Sequence, residues 1–235
     1  IQDFDVEALR ASGANVVLVR KSQTQPTVKE PLATLLKEVP SLTWVHTLTT
    51  GFDYIASPIL AEHDWGRGSD TDTDTETTNT NTGGGVLTNA RGISNSVLAE
   101  YAIMSCLYFA KELPRLREQQ VNKEWKKYPV QELRGATLGI FGYGSIGQTC
   151  AERAKAFGMK VIATRRTVPA EPDAYCDAVY GNDDESLLRL FAESDYLICA
   201  APLTEETVGR LGAAQFTAAK KDMVFINLGR GPVVD

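Results

Sequence analysis

The chain reads as an α/β protein, a doubly wound parallel sheet preceded by a smaller α/β unit. Three observations predict this. Short apolar strand-like runs alternate with helical segments from Thr137 onward. The run GIFGYGSIG at 139–147 places a glycine turn between one such strand and a helix. The run VIATRR at 161–166 supplies a second strand behind that helix.

Composition agrees and narrows the function. With 235 residues, 43% of them hydrophobic, the chain is long enough for one large or two small domains with a real core. A net charge of -6 offers a polyanion no general attraction, which argues against nucleic-acid binding. No apolar run nears the ~20 residues that span a bilayer. Cys106, Cys150, Cys176 and Cys199 are widely spaced with no CxxC pair, as expected of reduced, mostly buried thiols in a reducing compartment. Ile1 is not an initiator methionine, and a helical pattern already runs from Asp3 to Arg10 with Phe4, Val6 and Leu9 as its apolar positions. The N-terminus and any targeting segment are therefore expected upstream. The default compartment is the cytoplasm, with an organelle as the alternative.

The first unit spans 1–94. Asn15–Arg20 reads as a strand, Pro31–Lys37 as a helix with proline in its first turn, and Leu42–Leu48 as a β-branched and aromatic strand. A glycine turn at Thr50-Gly51 follows, then a weak helix over Tyr54–Leu60 interrupted by Pro58, and a strand at Val86–Asn89. Between them lies GRGSDTDTDTETTNTNTGGG at 66–85. It has no apolar periodicity and is expected to be a disordered surface insert. Asp70, Asp72, Asp74 and Glu76 resemble a calcium loop superficially, but the required sixth-position glycine and twelfth-position acid are missing.

The second unit spans 95–235. Asn95 or Ser96 can cap a long helix with Glu100 in reach of its early turns. Val97, Ala99, Tyr101, Met104, Leu107, Tyr108 and Ala110 make it apolar over much of its surface, as for a helix buried between domains or at a subunit contact. Met104 and the aromatic residues are read as core. Pro114 should end or kink the helix, and Gln119–Val130 is read as a polar connection anchored by Trp125. Strands follow at Thr137–Phe141, Lys160–Thr164, Asp195–Cys199 and Val224–Leu228. Helices follow at Ile146–Phe157, closed by Gly158, at Asp184–Phe191, and within Gly212–Ala219.

The glycine turn carries chemistry. Gly142 permits the tight exit from the strand, with Tyr143 next. Gly144 lets the backbone approach a pyrophosphate, and Gly147 lets the helix pack near the sheet. Amides at the start of the Ile146 helix can bind phosphate oxygens. These residues point to a dinucleotide. An acid about 20 residues on would take the adenosine ribose hydroxyls. Here Thr164-Arg165-Arg166 stands instead, which removes repulsion and offers guanidinium forks to a 2′-phosphate. The expectation is NADP(H) in preference to NAD(H), with NAD(H) possible. The bland alternative is that the arginines only solvate the sheet edge.

Arg230 is the catalytic candidate. It follows a strand at the carboxyl edge, between Gly229 and Gly231, where a guanidinium can hold a substrate carboxylate and polarise a ketone. A 2-oxo acid reductase also needs a proton donor, normally histidine. His46 alternates within a strand as a structural histidine does, and His63 lies beside the insert, so neither is assigned the role. No residues show metal-ligand spacing.

The stretches LTWVHTLTTGFD at 42–53, LTNARGISNSVLAEYAI at 87–103, LRGATLGIFGYGSIGQ at 133–148, CAAPLTEETVGRLG at 199–212 and FINLGRGPVVD at 225–235 resemble the D-isomer-specific 2-hydroxyacid dehydrogenase family, nearest its glyoxylate and hydroxypyruvate reductase-like members. The resemblance implies a substrate-binding domain at 1–94 and a Rossmann-type cofactor domain at 95–235. It implies that backbone at Thr50 and Gly51 holds the substrate carboxylate and that Ser145 and Ile146 contact the pyrophosphate. Ala200, Pro202 and Thr207 would line the cofactor cleft, Leu228 and Gly229 would approach the nicotinamide, and Arg230 would orient a small 2-oxo acid for reduction. It further implies a homodimer joined through the Asn95–Leu113 helix. The family's acid/base histidine and its glutamate partner would follow Asp235, so the chain reads as a fragment truncated at both ends, its C-terminal part missing, and inactive alone. Arg165 departs from the family's common acid, which favours NADP(H). Three other readings compete: an NAD(P)(H)-binding regulator or corepressor without turnover, a formate or phosphite dehydrogenase relative, and a reductase using a different acid.

Overall fold

A computed structural model describes residues 5–20, 29–49, 51, 54–55, 85–171 and 173–235. They fall into two compact units, Ile1–Arg91 and Gly92–Asp235.

In the first unit, α1 (Val6–Ser12) starts where the Asp5 carboxylate accepts from Ala8 N at 2.9 Å and stops at Gly13 in the left-handed region. Asp5 is thus the cap of the helix and not a member, while Asp3 and Phe4 of the predicted pattern lie outside the described residues. A parallel sheet follows in the order β1 (Val16–Val19), β2 (Trp44–Thr47), β3 (Val86–Asn89), with α2 (Lys29–Glu38) crossing between the first two strands. Val17, Val45, Leu87 and Val19 share one face, packed by Leu32, Leu35 and Leu36 of α2. Arg10 ties the two helices, donating to the Glu38 carbonyl at 2.6 Å and to its carboxylate at 2.8 Å. Thr50, His63, nearly all of the 66–85 insert and most of the 54–60 helix predicted from sequence lie outside the described residues.

In the second unit, α3 (Asn95–Ala110) and α4 (Leu113–Val121) precede a five-stranded parallel sheet. Its strands are β4 (Thr137–Phe141), β5 (Lys160–Thr164), β6 (Ala178–Tyr180), β7 (Tyr196–Cys199) and β8 (Val224–Asn227). Their spatial order is β6-β5-β4-β7-β8, which reverses direction between β4 and β7 as in a doubly wound dinucleotide fold. The helices α5 (Ser145–Ala156), α6 (Asp184–Glu193) and α7 (Ala213–Ala218) connect them. Alternate strand residues feed two cores. Leu138, Ile140, Val161, Ala163 and Ile198 pack with α3 and α5, while Phe141, Ile162, Leu197 and Cys199 pack with α6.

Several sequence expectations need correction here. Neither Asn95 nor Ser96 caps α3; Ser94 holds the cap position without a side-chain bond. Ser96 Oγ instead donates to Glu100 at 3.2 Å. Met104, Tyr101 and Tyr108 are exposed, not core. The sheet takes one stripe of α3, the small residues Ala99, Ala102, Cys106 and Ala110 with Ile103, leaving the larger side chains outward. Trp125 is no anchor among the described residues, being 94% exposed beside charged sequence neighbours. α4 occupies part of the segment read as a connection, because the break at Glu112, with φ 48, lets Pro114 sit in a new first turn. The short strand β6 was not predicted; three residues carry too little periodicity.

Candidate functional site

Because all five strands are parallel, the loops after β4, β5, β7 and β8 leave the same carboxyl edge. Gly142 follows β4 with φ +95, and a Cβ there would come within 2.6 Å of Ala201 N, so the loops after β4 and β7 touch where the strand order reverses. Gly147 lies in the first turns of α5, where a Cβ would meet the Gly142 carbonyl at 2.7 Å. The protein's own packing therefore demands both glycines. Gly144 differs: a Cβ there would meet nothing within 4 Å. It holds the N-cap position of α5 with no side-chain cap, and the first turn carries no acidic residue. Free amide donors beside open backbone fit an anionic group such as the pyrophosphate of a dinucleotide.

Ser145 Oγ lies 3.5 Å from Asn95 Oδ1, and Ile146 is half-buried. Thr164 is fully buried at the end of β5, where its carbonyl accepts from Gly142 N at 3.2 Å and Tyr143 N at 3.0 Å. Its hydroxyl is buried without a hydrogen-bond partner among the described residues. Arg165 N donates to the Tyr180 carbonyl at 3.0 Å, and Arg166 is exposed beyond it. Ala200 N donates to the Phe141 carbonyl at 2.8 Å. Thr207 organises its own loop, its hydroxyl donating to the Pro202 carbonyl and accepting from Thr204 N, both at 2.7 Å. Leu228 N donates to the Cys199 carbonyl at 2.9 Å. Gly51 is half-buried in the first unit.

Arg230 is exposed, and its approach is braced by Asn227, which sequence reasoning missed. The Asn227 carbonyl oxygen accepts from Gly229 N at 2.9 Å, and its amide donates to the Arg230 carbonyl at 3.1 Å. An asparagine closing an apolar strand two residues before a glycine is the signal that could have revealed this Asx turn.

His46 Nδ1 sits 2.7 Å from Thr88 Oγ1, which also accepts from Trp44 Nε1 at 2.8 Å, so the imidazole belongs to a cross-strand network. All four cysteines are free and buried. Burial pushes Cys106 and Cys150 up to about 12 and Cys176 and Cys199 up to about 11, so none is a thiolate nucleophile at neutral pH. Among the described residues no group of acids, histidines and cysteines is arranged to hold a metal, and no helix is long and apolar enough to cross a membrane.

Comparison with known proteins bears on this site. The family model described as D-isomer specific 2-hydroxyacid dehydrogenase, NAD binding domain, matches residues 103–235. The chain is 37% identical over 158 residues to a glyoxylate reductase of Thermococcus litoralis, with 63% of this chain and 46% of that protein covered. It is 35% identical over 149 residues to a hydroxypyruvate reductase of Thermotoga maritima, with the same coverage. The chain thus spans about half the length of the curated relatives it matches. A D-isomer specific 2-hydroxyacid dehydrogenase family protein from Aeromonas salmonicida, of known crystal structure, superposes with a TM-score of 0.70 at 29% identity, covering 99% of this chain and 65% of that one. With the glycine loop, the strand order and this match in agreement, the chain belongs to the D-isomer specific 2-hydroxyacid dehydrogenase family and carries its NAD-binding domain.

Proposed function

We propose that the protein is an NAD(P)-dependent oxidoreductase that reduces small 2-oxo acids, glyoxylate or hydroxypyruvate, and prefers NADP(H). One observation carries the reading: a single sheet edge presents an uncapped helix start after β4, two arginines after β5 and a braced arginine after β8. When bound, the dinucleotide supplies the hydride. The residues of the chain bind and orient. Gly142, Tyr143, Gly144, Ser145, Ile146 and Gly147 form the pyrophosphate turn. Arg165 and Arg166, on the turn that leaves the buried Thr164, face the adenosine ribose, where guanidinium forks favour a 2′-phosphate. Ala200, Pro202 and Thr207 line the cofactor cleft, and Leu228 and Gly229 approach the nicotinamide. The Arg230 guanidinium orients the acid and polarises its C2 carbonyl. The substrate choice is supported by the names of the relatives, a glyoxylate and a hydroxypyruvate reductase.

In this reading Ile1–Arg91 is the substrate unit and Gly92–Asp235 the cofactor unit. The outward stripe of Val97, Tyr101, Met104 and Tyr108 on α3 is the homodimer contact, since such an apolar stripe gains by burial.

The test is NADPH and NADH oxidation by the full-length gene product with glyoxylate and hydroxypyruvate. Turnover mainly with NADPH is expected. Arg230→Ala should lower kcat/KM by about 100- to 1,000-fold. Cofactor binding without turnover of either acid would sink the reductase reading and favour a sensor.

A further inference from the structure

The bulky member of the glycine loop does not face outward. Tyr143 is 1% exposed, and its Oη donates to Asp173 Oδ1 at 2.7 Å. Burial, then the bond to Asp173, hold the phenol protonated well above its usual range. The same Asp173 oxygen accepts from Tyr175 N at 2.8 Å, so the carboxylate is fixed by its own Asx turn. Asp173 lies in the segment that leaves β5 through Arg165 and Arg166 and returns to β6. Both ends of that segment are pinned to the sheet. Arg165 N donates to the Tyr180 carbonyl at 3.0 Å, and Asp177 N donates to the Val161 carbonyl at 2.8 Å. Between those pins, the Tyr143–Asp173 bond ties the segment back to the glycine loop.

We infer that Tyr143 and Asp173 form a latch that sets the arginine-bearing turn against the glycine loop, making both positioning residues for the 2′-phosphate of the cofactor. The inference rests on the reading that Arg165 and Arg166 take that phosphate. The pyrophosphate turn is built by backbone contacts, distinct from the side-chain bond of the latch: Gly142 and Tyr143 amides on the Thr164 carbonyl, and Gly142 against Ala201. Loosening the latch should therefore cost the phosphorylated cofactor more than the unphosphorylated one. Tyr143→Phe keeps the buried ring and deletes only the donor. Asp173→Asn keeps the shape and weakens the acceptor.

The experiment titrates NADPH and NADH by fluorescence into the full-length protein and both variants, without substrate. Each variant should bind NADPH about three- to tenfold more weakly; Asp173→Asn should bind NADH less than about twofold more weakly, and Tyr143→Phe should lose less affinity for NADH than for NADPH. The double variant should be no worse than the poorer single one, since both break one bond. Trypsin should cut faster after Arg165 or Arg166 in the variants than in the parent. If the parent prefers NADPH but the variants keep its ratio of affinities, the latch falls and the arginine reading stands. If the parent shows no preference for NADPH, the arginine reading fails and the latch with it. Equal loss of both cofactors would also overturn the latch, because it would mean general damage to the loop.

Discussion

The two sheets are built from strands of similar apolar content, yet they use it differently. In the five-stranded sheet every residue of β4 and β7 is buried. Helices α3 and α5 take one face and α6 the other, so both sets of alternate side chains find a core. In the three-stranded sheet the aligned positions Val16, Trp44 and Val86 are exposed, and Leu18 is 63% exposed, on the face away from α2. Its strands follow the half-buried alternation more usual in antiparallel sheets, although all its pairings are parallel. A run of valines and leucines thus reports a strand, while the helices packed beside it, which among the described residues lie on one face of the first sheet and on both faces of the second, decide how much of it is buried.

The sharpest way to break this comparison is a pair of matched truncations. Leu197→Ala removes a fully buried side chain from the centre of the five-stranded sheet and should cost about 3–4 kcal/mol. Leu18→Ala, in the three-stranded sheet, should cost less than about 1 kcal/mol. Urea denaturation followed by far-ultraviolet circular dichroism reads both. Equal costs would mean that Leu18 is covered in solution and that the two sheets do not differ.

Two left-handed glycines sharpen the contrast next. Gly13 ends α1 with φ +67, and a Cβ there meets open space. Gly142 has φ +95, and a Cβ collides with the Ala201 backbone. Gly13→Ala pays conformational strain alone, about 1 kcal/mol. Gly142→Ala adds a backbone collision at the point where two loops meet, so about 2–3 kcal/mol is expected, with dinucleotide binding lost as well. A Gly142→Ala variant with the thermal stability of Gly13→Ala would show that the loop yields freely.

Legibility followed the same division. The strands at Thr137–Phe141 and Lys160–Thr164 are legible in the sequence to the residue, because Gly135 and Gly142 flank the first short apolar run and Gly158 and the Arg165-Arg166 pair flank the second. The glycine loop was legible because turn chemistry is local: positive φ and close approach need glycine whatever surrounds them. What escaped depends on neighbours distant in sequence. The outward stripe of α3 could not be told from its inward one, since the helix is apolar on both sides and only the packing of Ala99, Ala102 and Cys106 against the second unit's core decides which is buried. Tyr143 escaped because its partner lies 30 residues away. Asn227 is the exception, since its two bonds reach only Gly229 and Arg230.

The smallest effect concerns ion pairs. Arg10–Glu38 in the first unit is an exposed pair, whereas Asp177 accepts from Val161 N at 2.7 Å and from Lys155 Nζ at 2.7 Å, closing the turn before β6. Partial burial pushes the Asp177 carboxyl upward, but the hydrogen bonds from Lys155 and Val161 and the charges of Lys155 and Lys160 outweigh it and hold the pKa below the ordinary carboxylate value. A lowered folded-state pKa means stability that is fully present above the unfolded value. It declines as pH falls through that value toward the folded one, below which none remains. The side chain is 40% exposed, so solvent screening keeps the contribution to about 1 kcal/mol at most. Asp177→Asn should therefore melt slightly lower than the parent at neutral pH, and the gap should close on acidification below the ordinary carboxylate range. Glu38→Gln should change melting by less at neutral pH. A gap for Asp177→Asn that persisted unchanged in acid would show that the side chain acts through shape and hydrogen bonding alone, and that charge does not distinguish this turn from the exposed pair of the first unit.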